Sequence, residues 1–296
     1  MAFSDEYKRD RQQRSLKQVE AGGIPLDAEW RLKRLNENRK LFTSNLSVNE
    51  LALSVSAGIH PLGQVMGAST YHVGWQPTKS VYTPMLSAQL PVPTQAQYQA
   101  RNLAIGRLQR EATLLGADGA VGVRIERKTN EDRHDVIEYM AIGTAVRLPG
   151  PNRWSTPFVS AMSVQELWSL MRAGHFPIGM VFGVSVYYHV ATFANQMVMK
   201  QGMFGSTAEL SDYSGAISIA RAHAMGQIEF EASALGADGV VGMTVENHIR
   251  PVEVELEYNE QKIRRRDLIV NFTAQGSAIM PTADAPYAID YSVFLK

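Results

Sequence analysis

Metal binding is the first chemistry to consider for this chain, because it has seven histidines and no cysteine. Two histidines of one helix bind a metal at the spacings H-x-x-x-H or H-E-x-x-H, and neither spacing occurs in the sequence. Without thiolates, the ligands that soft metals prefer are missing as well. The pattern therefore predicts no metal site and no cofactor. The histidines are His60, His72, His134, His175, His189, His223 and His248.

Several carboxylates recur at equivalent positions in the two halves of the chain, around the stretches LGADGAVGV at 115–123 and LGADGVVGM at 235–243. A metal site present in both halves would repeat its histidines, but His72 aligns with a tyrosine and the other histidines also lack counterparts. The repeated carboxylates have no companion nucleophile or base, so we predict no catalytic residue and no enzymatic activity. These pairs are Glu50 and Glu166, Glu111 and Glu231, Asp118 and Asp238, and Glu126 and Glu246.

The carboxylate pair Glu50 and Glu166 is explained by helix capping. Each glutamate follows a serine, Ser47 or Ser163, in the S-x-x-E pattern of a capping box. Each half of the chain is thus expected to open with a short helix.

The pair Glu111 and Glu231 lies on a mostly apolar helix face, where a carboxylate needs a partner. The expected partners are Arg101, Arg221 or a neighbouring subunit. The apolar stripe recurs every three or four residues and is rich in alanine, which predicts a helix that approaches its neighbour closely. Its members are Ala100, Ala104, Leu108, Ala112 and Leu115 in the first half, and Ala220, Ala224, Ile228, Ala232 and Leu235 in the second.

The glycines of the repeated stretch favour a helix end followed by a strand. Gly116 and Gly236 come directly after the last apolar position, where a left-handed helix cap is favoured. Asp118 and Asp238 then lie in a turn, in which aspartate bonds to nearby backbone. A phosphate-binding loop would have the opposite order, because the anion binds at the N-terminus of a helix. We therefore exclude a dinucleotide-binding fold.

Length and composition indicate a globular protein with roughly two domains. Lysine plus arginine and aspartate plus glutamate both number 29, so the net charge is zero and gives no pull toward nucleic acid. The first residues are charged, which excludes a signal peptide, and no apolar run is long enough to span a membrane. Together with the absence of cysteine, this predicts a cytoplasmic protein.

The chain order predicts an α+β fold in two tandem repeats, each with a helix, a strand, a long loop, a second helix and further strands. The glycine-interrupted stretch 60–72 favours a strand with a bulge or a close backbone approach. The long loops are expected at 76–96 and 193–215. The predicted boundaries are a charged helical arm at 1–41, the first repeat at 42–148, a linker at 149–157, the second repeat at 158–281 and a tail at 282–296.

Both repeats resemble the YbjQ-like family, which is named for heavy-metal binding but has no established activity. The resemblance rests on the helix pattern ARxxAxxxLxxEAxxLGAD and on strands that end in IGTAV at 142–146 and QGSAI at 275–279. The arm, with the sequence SLKQVEAGGIPLDAEWRLKRL, resembles the helical hairpins called SHOCT domains. The family resemblance implies small α+β subunits that assemble as pentameric rings, with short strands contributed between neighbours.

We therefore expect a non-enzymatic homo-oligomer that forms pentamer-based rings or a larger shell, with the arm and tail locking neighbours. Its expected partner is a second copy of itself, with no nucleic acid and no membrane span. The alternative hypothesis is a metal- or small-molecule-binding module that uses the methionine-rich loop at 193–215 or a subunit interface. The structural or interface candidates are Ala104, Leu108, Glu111, Asp118, Ala224, Ile228, Glu231 and Asp238.

Overall fold

The computed structural model describes residues 5–37, 43–73, 86–129, 136–150, 154–192, 209–258 and 261–281. Within these residues the fold is α+β, with six helices and two four-stranded sheets. The helices are α1 (Asp5–Glu20), α2 (Leu26–Glu37), α3 (Val48–Ser56), α4 (Pro91–Leu114), α5 (Val164–Arg172) and α6 (Ser211–Ala234). The strands are β1 (His60–His72), β2 (Ala88–Gln89), β3 (Gly119–Thr129), β4 (Val136–Arg147), β5 (Phe158–Val159), β6 (His175–His189), β7 (Gly239–Tyr258) and β8 (Gln261–Pro281).

The first sheet has the strand order β1-β4-β3-β5, and the second has the order β2-β6-β8-β7. The three long strands of each sheet are antiparallel neighbours. Helix α4 packs on the first sheet, and helix α6 packs on the second. Helix α4 buries its alanine-rich stripe as the periodicity predicted, whereas α6 buries Ala220, Ala224 and Ile228 but leaves Ala232 half-buried and Leu235 exposed.

Each sheet receives a two-residue strand from a distant part of the chain. Strand β2 precedes α4 in sequence but pairs antiparallel with β6 of the second sheet. Strand β5 precedes α5 but pairs in parallel with β3 of the first sheet. The two sheets are therefore joined by reciprocal strand exchange within one chain.

The strand prediction for 60–72 is confirmed, and its glycines allow a close approach between helix and sheet. A Cβ atom at Gly67 would lie 1.9 Å from the carbonyl oxygen of Ala104, and one at Gly183 would lie 1.9 Å from that of Ala224. Only glycine fits at such a contact between backbones. The contact sets the distance from α4 to the first sheet and from α6 to the second.

The predicted helix boundaries are confirmed where a capping motif defines them. Ser47 and Ser163 each accept a hydrogen bond from the N–H of the glutamate three residues later, which bonds back to the serine. Gly116 and Gly236 have φ angles of 66° and 71°, as a left-handed helix end requires. The long loops, however, end earlier than predicted, because α4 already begins at Pro91, where the fixed φ of proline favours a first helical turn.

The arm forms a helical hairpin of α1 and α2 that packs on α4. Ile24 and Leu32 are buried in the core of the first sheet. Arg107 of α4 donates to the carbonyl oxygens of Val19 and Gly23, at 3.0 and 3.2 Å. The arm is thus part of the folded core of its own chain, and its expected role in locking neighbouring copies stays a prediction.

The outer ends of β7 and β8 form a hairpin. Opposed charges meet across it, with Arg264 Nε 3.1 Å from Glu255 Oε1. The tail and the methionine-rich loop, with the predictions made for them, lie outside the described residues. Among the described helices, none combines the length and the apolar composition needed to cross a bilayer.

Candidate functional site

The contact region between the two sheets contains the polar groups that the sequence singled out. Glu231 of α6 accepts the backbone N–H of Phe182 at 2.8 Å and the hydroxyl of Tyr98, which comes from α4. Arg101, one turn further along α4, is buried with its guanidinium carbon 5.0 Å from the centre of the Phe182 ring. Burial lowers the pKa of Arg101 to about 10, although the nearby charge of Glu231 acts in the opposite direction. Arg101 is therefore one of the predicted partners, acting through its charge rather than through a direct bond.

Glu111 occupies the equivalent place on the first sheet but has a different partner. It accepts the backbone N–H of Met66 at 2.9 Å and Arg31 of the arm at 2.8 Å. Burial raises the pKa of Glu111 above its usual value, and the bonds from Met66 and Arg31 work against this rise. The arm thus supplies to Glu111 the donor that α4 supplies to Glu231. The sequence did not predict Arg31 for this role.

Strand β5 is bound to the first sheet along its whole length. The ring of Phe158 packs over Gly119, where a Cβ atom would lie 2.2 Å from it. The residues after Phe158 continue the contact, because the N–H groups of Gly122 and Val123 donate to carbonyl oxygens of Met162 and Ser160, at 2.8 and 3.0 Å. Gly122 has a φ of 58° and forms a bulge in β3, which turns these N–H groups toward β5.

The residues that follow β5 also contact the second sheet. Ser160 and Ala161 contact the hydroxyl oxygen of Ser277 at 3.0 and 3.3 Å. In the first half the N–H of Asn45 donates in the same way to the hydroxyl of Thr144, at 3.1 Å. Residues 44–46 therefore lie on the first sheet as residues 160–162 lie on the second.

The face that β5 covers on the first sheet is uncovered on the second. Val123 of β3 is 3% exposed, whereas the equivalent Met243 of β7 is 36% exposed. Within the described residues no strand pairs with the outer edge of β7. Exposed apolar side chains grouped on one edge of a sheet are typical of interaction surfaces. The face continues to Val245 and Ile249, which are also exposed.

The contact between the two sheets, called the junction below, also uses a face of β6 in the second sheet. The equivalent face of β1 in the first sheet is uncovered. Phe182 of β6 is 3% exposed under α4 and the first sheet, whereas the equivalent Met66 of β1 is 43% exposed. Val186 of β6 is buried beside Thr94, while the equivalent Thr70 of β1 is exposed. The contact between the two sheets uses the β3 edge of the first sheet and the β6 face of the second. The equivalent β7 edge of the second sheet and β1 face of the first sheet are both left exposed.

The eight candidate residues fall into four environments. Four lie on the sides of α4 and α6 that face the sheets and are buried in the two cores, namely Ala104, Leu108, Ala224 and Ile228. Glu111 and Glu231 bind strand edges, as described above. The side chain of Asp118 accepts the N–H of Leu148 at 2.7 Å, rather than that of its own turn. Asp238 is exposed, and one of its oxygens lies 4.0 Å from His175 Nε2.

The described residues offer no group of three histidine or carboxylate side chains that could hold a metal ion. A cavity of about 30 Å³ lies where the two sheets face each other, between residues such as Arg127, Tyr139, Phe182 and Glu246. This volume accommodates water rather than an organic ligand, which needs roughly 300 Å³ or more. The polar contacts around this cavity, such as the hydrogen bond from Tyr98 to Glu231, join the two sheets.

Comparison with known proteins identifies the first half. Residues 64–149 match the YbjQ-like family, whose description reads "Putative heavy-metal-binding". A UPF0145 protein of Methanococcus maripaludis is 35% identical over 89 residues, or 29% of this chain and 77% of that protein. No solved structure matches the chain.

A longer relative covers both sheets. An encapsulin nanocompartment protein of Mycobacterium tuberculosis is 36% identical over 262 residues, which is 86% of this chain and 95% of that protein. The chain belongs to the same family as that protein. The similarity therefore extends well beyond the YbjQ-like part, to most of the chain.

Replacing Tyr98 by phenylalanine tests the junction between the sheets. The variant keeps the ring but leaves one oxygen of Glu231 without its donor, so we expect a loss of about 1 kcal/mol in the free energy of unfolding. The matched control is Tyr71→Phe, because the hydroxyl of Tyr71 bonds to Gln99 at an exposed site. The control should change stability by less than about 0.5 kcal/mol. Equal losses in urea unfolding would show that the Tyr98 contact has no special weight.

Proposed function

We propose that this chain is a non-enzymatic structural protein that assembles with copies of itself into the shell of a compartment. In this proposal the two sheets with their helices are tandem YbjQ-like repeats, which occupy 42–148 and 158–281, and the arm is a SHOCT-like hairpin. The relative's name supports a shell, because it is called a nanocompartment protein and the similarity covers most of both chains.

The observation that carries the proposal is the junction between the two sheets. The chain uses it once internally, through β2, β5 and the Tyr98–Glu231 contact. Both complementary faces are left over, one with exposed Met243 and the other with exposed Met66. A surface that has a complement at the opposite end of the same chain can bind a second copy without any other partner.

Such a contact between unlike faces has no two-fold symmetry and adds copies in one direction. It closes into a ring when the rotation between copies divides a full turn, and it otherwise gives an open filament. Five-fold rings, which the family resemblance implies, are the proposed closed unit. Stacking or curvature of such rings would give a shell.

Electron microscopy of the purified full-length chain tests the proposal. We expect closed particles of uniform size, with rings visible in some views. A field of dispersed single chains at the same protein concentration would contradict it, provided that circular dichroism shows the α+β fold intact.

A further inference from the structure

We propose that residues 44–46 of one copy bind the β7 edge of the next, so that the copies join head to tail as the two sheets join within one chain. The inference rests on the proposed self-assembly and adds which residues form the joint. The site on one copy is the edge of β7 around Gly242 and Met243, and the occupant is the first sheet of a second copy.

The internal junction supplies the template for this joint. The N–H groups of Gly122 and Val123 donate to the carbonyl oxygens of Met162 and Ser160. At the equivalent place on β7, Gly242 has a φ of 64°, and the same shift of strand register occurs between Val241 and Thr244. The β7 edge therefore has the backbone shape that binds a short strand on β3.

The occupant is defined by the matching segments of the two halves. The sequence FTSNLSVNEL at 42–51 corresponds to FVSAMSVQEL at 158–167. Residues 44–46 rest on Thr144 of their own sheet as residues 160–162 rest on Ser277 of theirs. This placement fixes which groups of one copy face the next. The joint would bring the N–H groups of Gly242 and Met243 to the carbonyl oxygens of Leu46 and Ser44.

The space around the β7 edge fits an incoming segment. A Cβ atom at Gly119 would collide with the ring of Phe158, but one at Gly239 would meet only Ile279, at 3.8 Å. The space over Gly239, called the slot below, is thus open, whereas the equivalent slot over Gly119 is filled by the ring of Phe158. Met243, which follows Gly242 on the same strand, is 36% exposed, and burying it in the joint favours association by the hydrophobic effect.

The joint also gives the arm a role. Helix α6 of one copy would run along β1 of the next, as α4 runs along β6. Ser218 then takes the position of Tyr98, and its short side chain leaves room at Glu111 of the next copy. Arg31 already bonds to Glu111 from the arm at 2.8 Å. Arg31 of the arm thus donates to Glu111, as Tyr98 donates to Glu231 inside the chain. Arg221 of the neighbouring copy would take the place that the buried Arg101 has in the internal contact.

Paired cysteines test the joint, because the natural chain contains none. In the internal junction Ala120 is the register partner of Val159. The equivalent pair between copies is Val240 and Thr43. We would prepare T43C/V240C and the control A120C/V159C, and treat both with an oxidant or with a short bifunctional maleimide. Neighbouring strands place paired Cα atoms within the reach of a disulfide.

The expected result is a ladder of covalent oligomers for T43C/V240C and an unchanged chain mass for A120C/V159C on denaturing gels. A mixture of T43C chains with V240C chains should stop at dimers, because each chain then carries one cysteine. Dimers from V240C chains alone would overturn the proposal, since they require a two-fold joint.

Two further outcomes separate this joint from self-assembly in general. If the chain forms large particles but T43C/V240C gives no covalent oligomers, this joint is wrong and the proposed assembly stands. If light scattering shows single chains throughout, both are wrong.

Discussion

Alanine at Gly67 or at Gly183 should destabilise the chain more than most single substitutions. The new methyl group would lie 1.9 Å from a backbone oxygen of α4 or α6, and a backbone atom in a packed helix cannot turn aside as a side chain can. The helix would have to lift from its sheet, which exposes the alanine-rich stripe. We expect a loss of about 3 kcal/mol or more in the free energy of unfolding, at or above the usual range for an overpacked core.

Two other glycines of the same helices provide the matched control. Gly106 of α4 and Gly226 of α6 have open space where a Cβ atom would lie. Alanine at either position should leave the fold intact and raise stability by about 0.5–1 kcal/mol, because it favours the helix. Urea unfolding of the four variants measures the difference. Similar stabilities for G67A and G106A would show that close helix–sheet packing does not hold this fold together.

Truncating Phe158 to alanine should loosen the exchange of strands between the sheets. The ring is 1% exposed and fills the slot over Gly119, so its removal leaves a cavity at the end of β5. We expect a loss of about 3–5 kcal/mol, as for other buried aromatic residues cut to alanine. Thermal unfolding followed by circular dichroism would show the loss as a lower midpoint.

Alanine substitutions at Gly119 and Gly239 distinguish an effect on folding from an effect on assembly. G119A places a methyl group against the Phe158 ring and should destabilise the single chain by about 1–3 kcal/mol. G239A meets only Ile279 within 4 Å, so it should leave the single chain stable. Under the proposed joint, G239A should reduce the assembled fraction seen by light scattering. A G239A chain that assembles as fully as the natural one would show that the slot is not used.

Local features of the fold could be predicted because their causes lie within a few residues. The capping boxes need only a serine and a glutamate three positions apart. The helix ends at Gly116 and Gly236 need only a residue that accepts a positive φ. The burial of the alanine stripes follows from helical periodicity. Each of these signals acts over one or two turns of chain.

The strand exchange could not be predicted, because a two-residue strand has no periodicity to detect. Strand β5 is defined by its contact with Gly119, which lies far from it in sequence. The role of Arg31 at Glu111 was missed for the same reason, since nothing near either residue indicates the other. One signal was available: Phe158 lies before the Ser163 capping box as Phe42 lies before that of Ser47. The aromatic residue is thus part of the duplicated sequence pattern.

The molar mass of this 296-residue chain in solution, measured by multi-angle light scattering, shows whether copies associate. Two faces that complement each other at opposite ends of one chain should hold copies together. We predict a single species whose mass is a whole-number multiple of 32.7 kDa and at least twice that value. A mass of 32.7 kDa at micromolar concentration, with the helices and both sheets intact by circular dichroism, would contradict it.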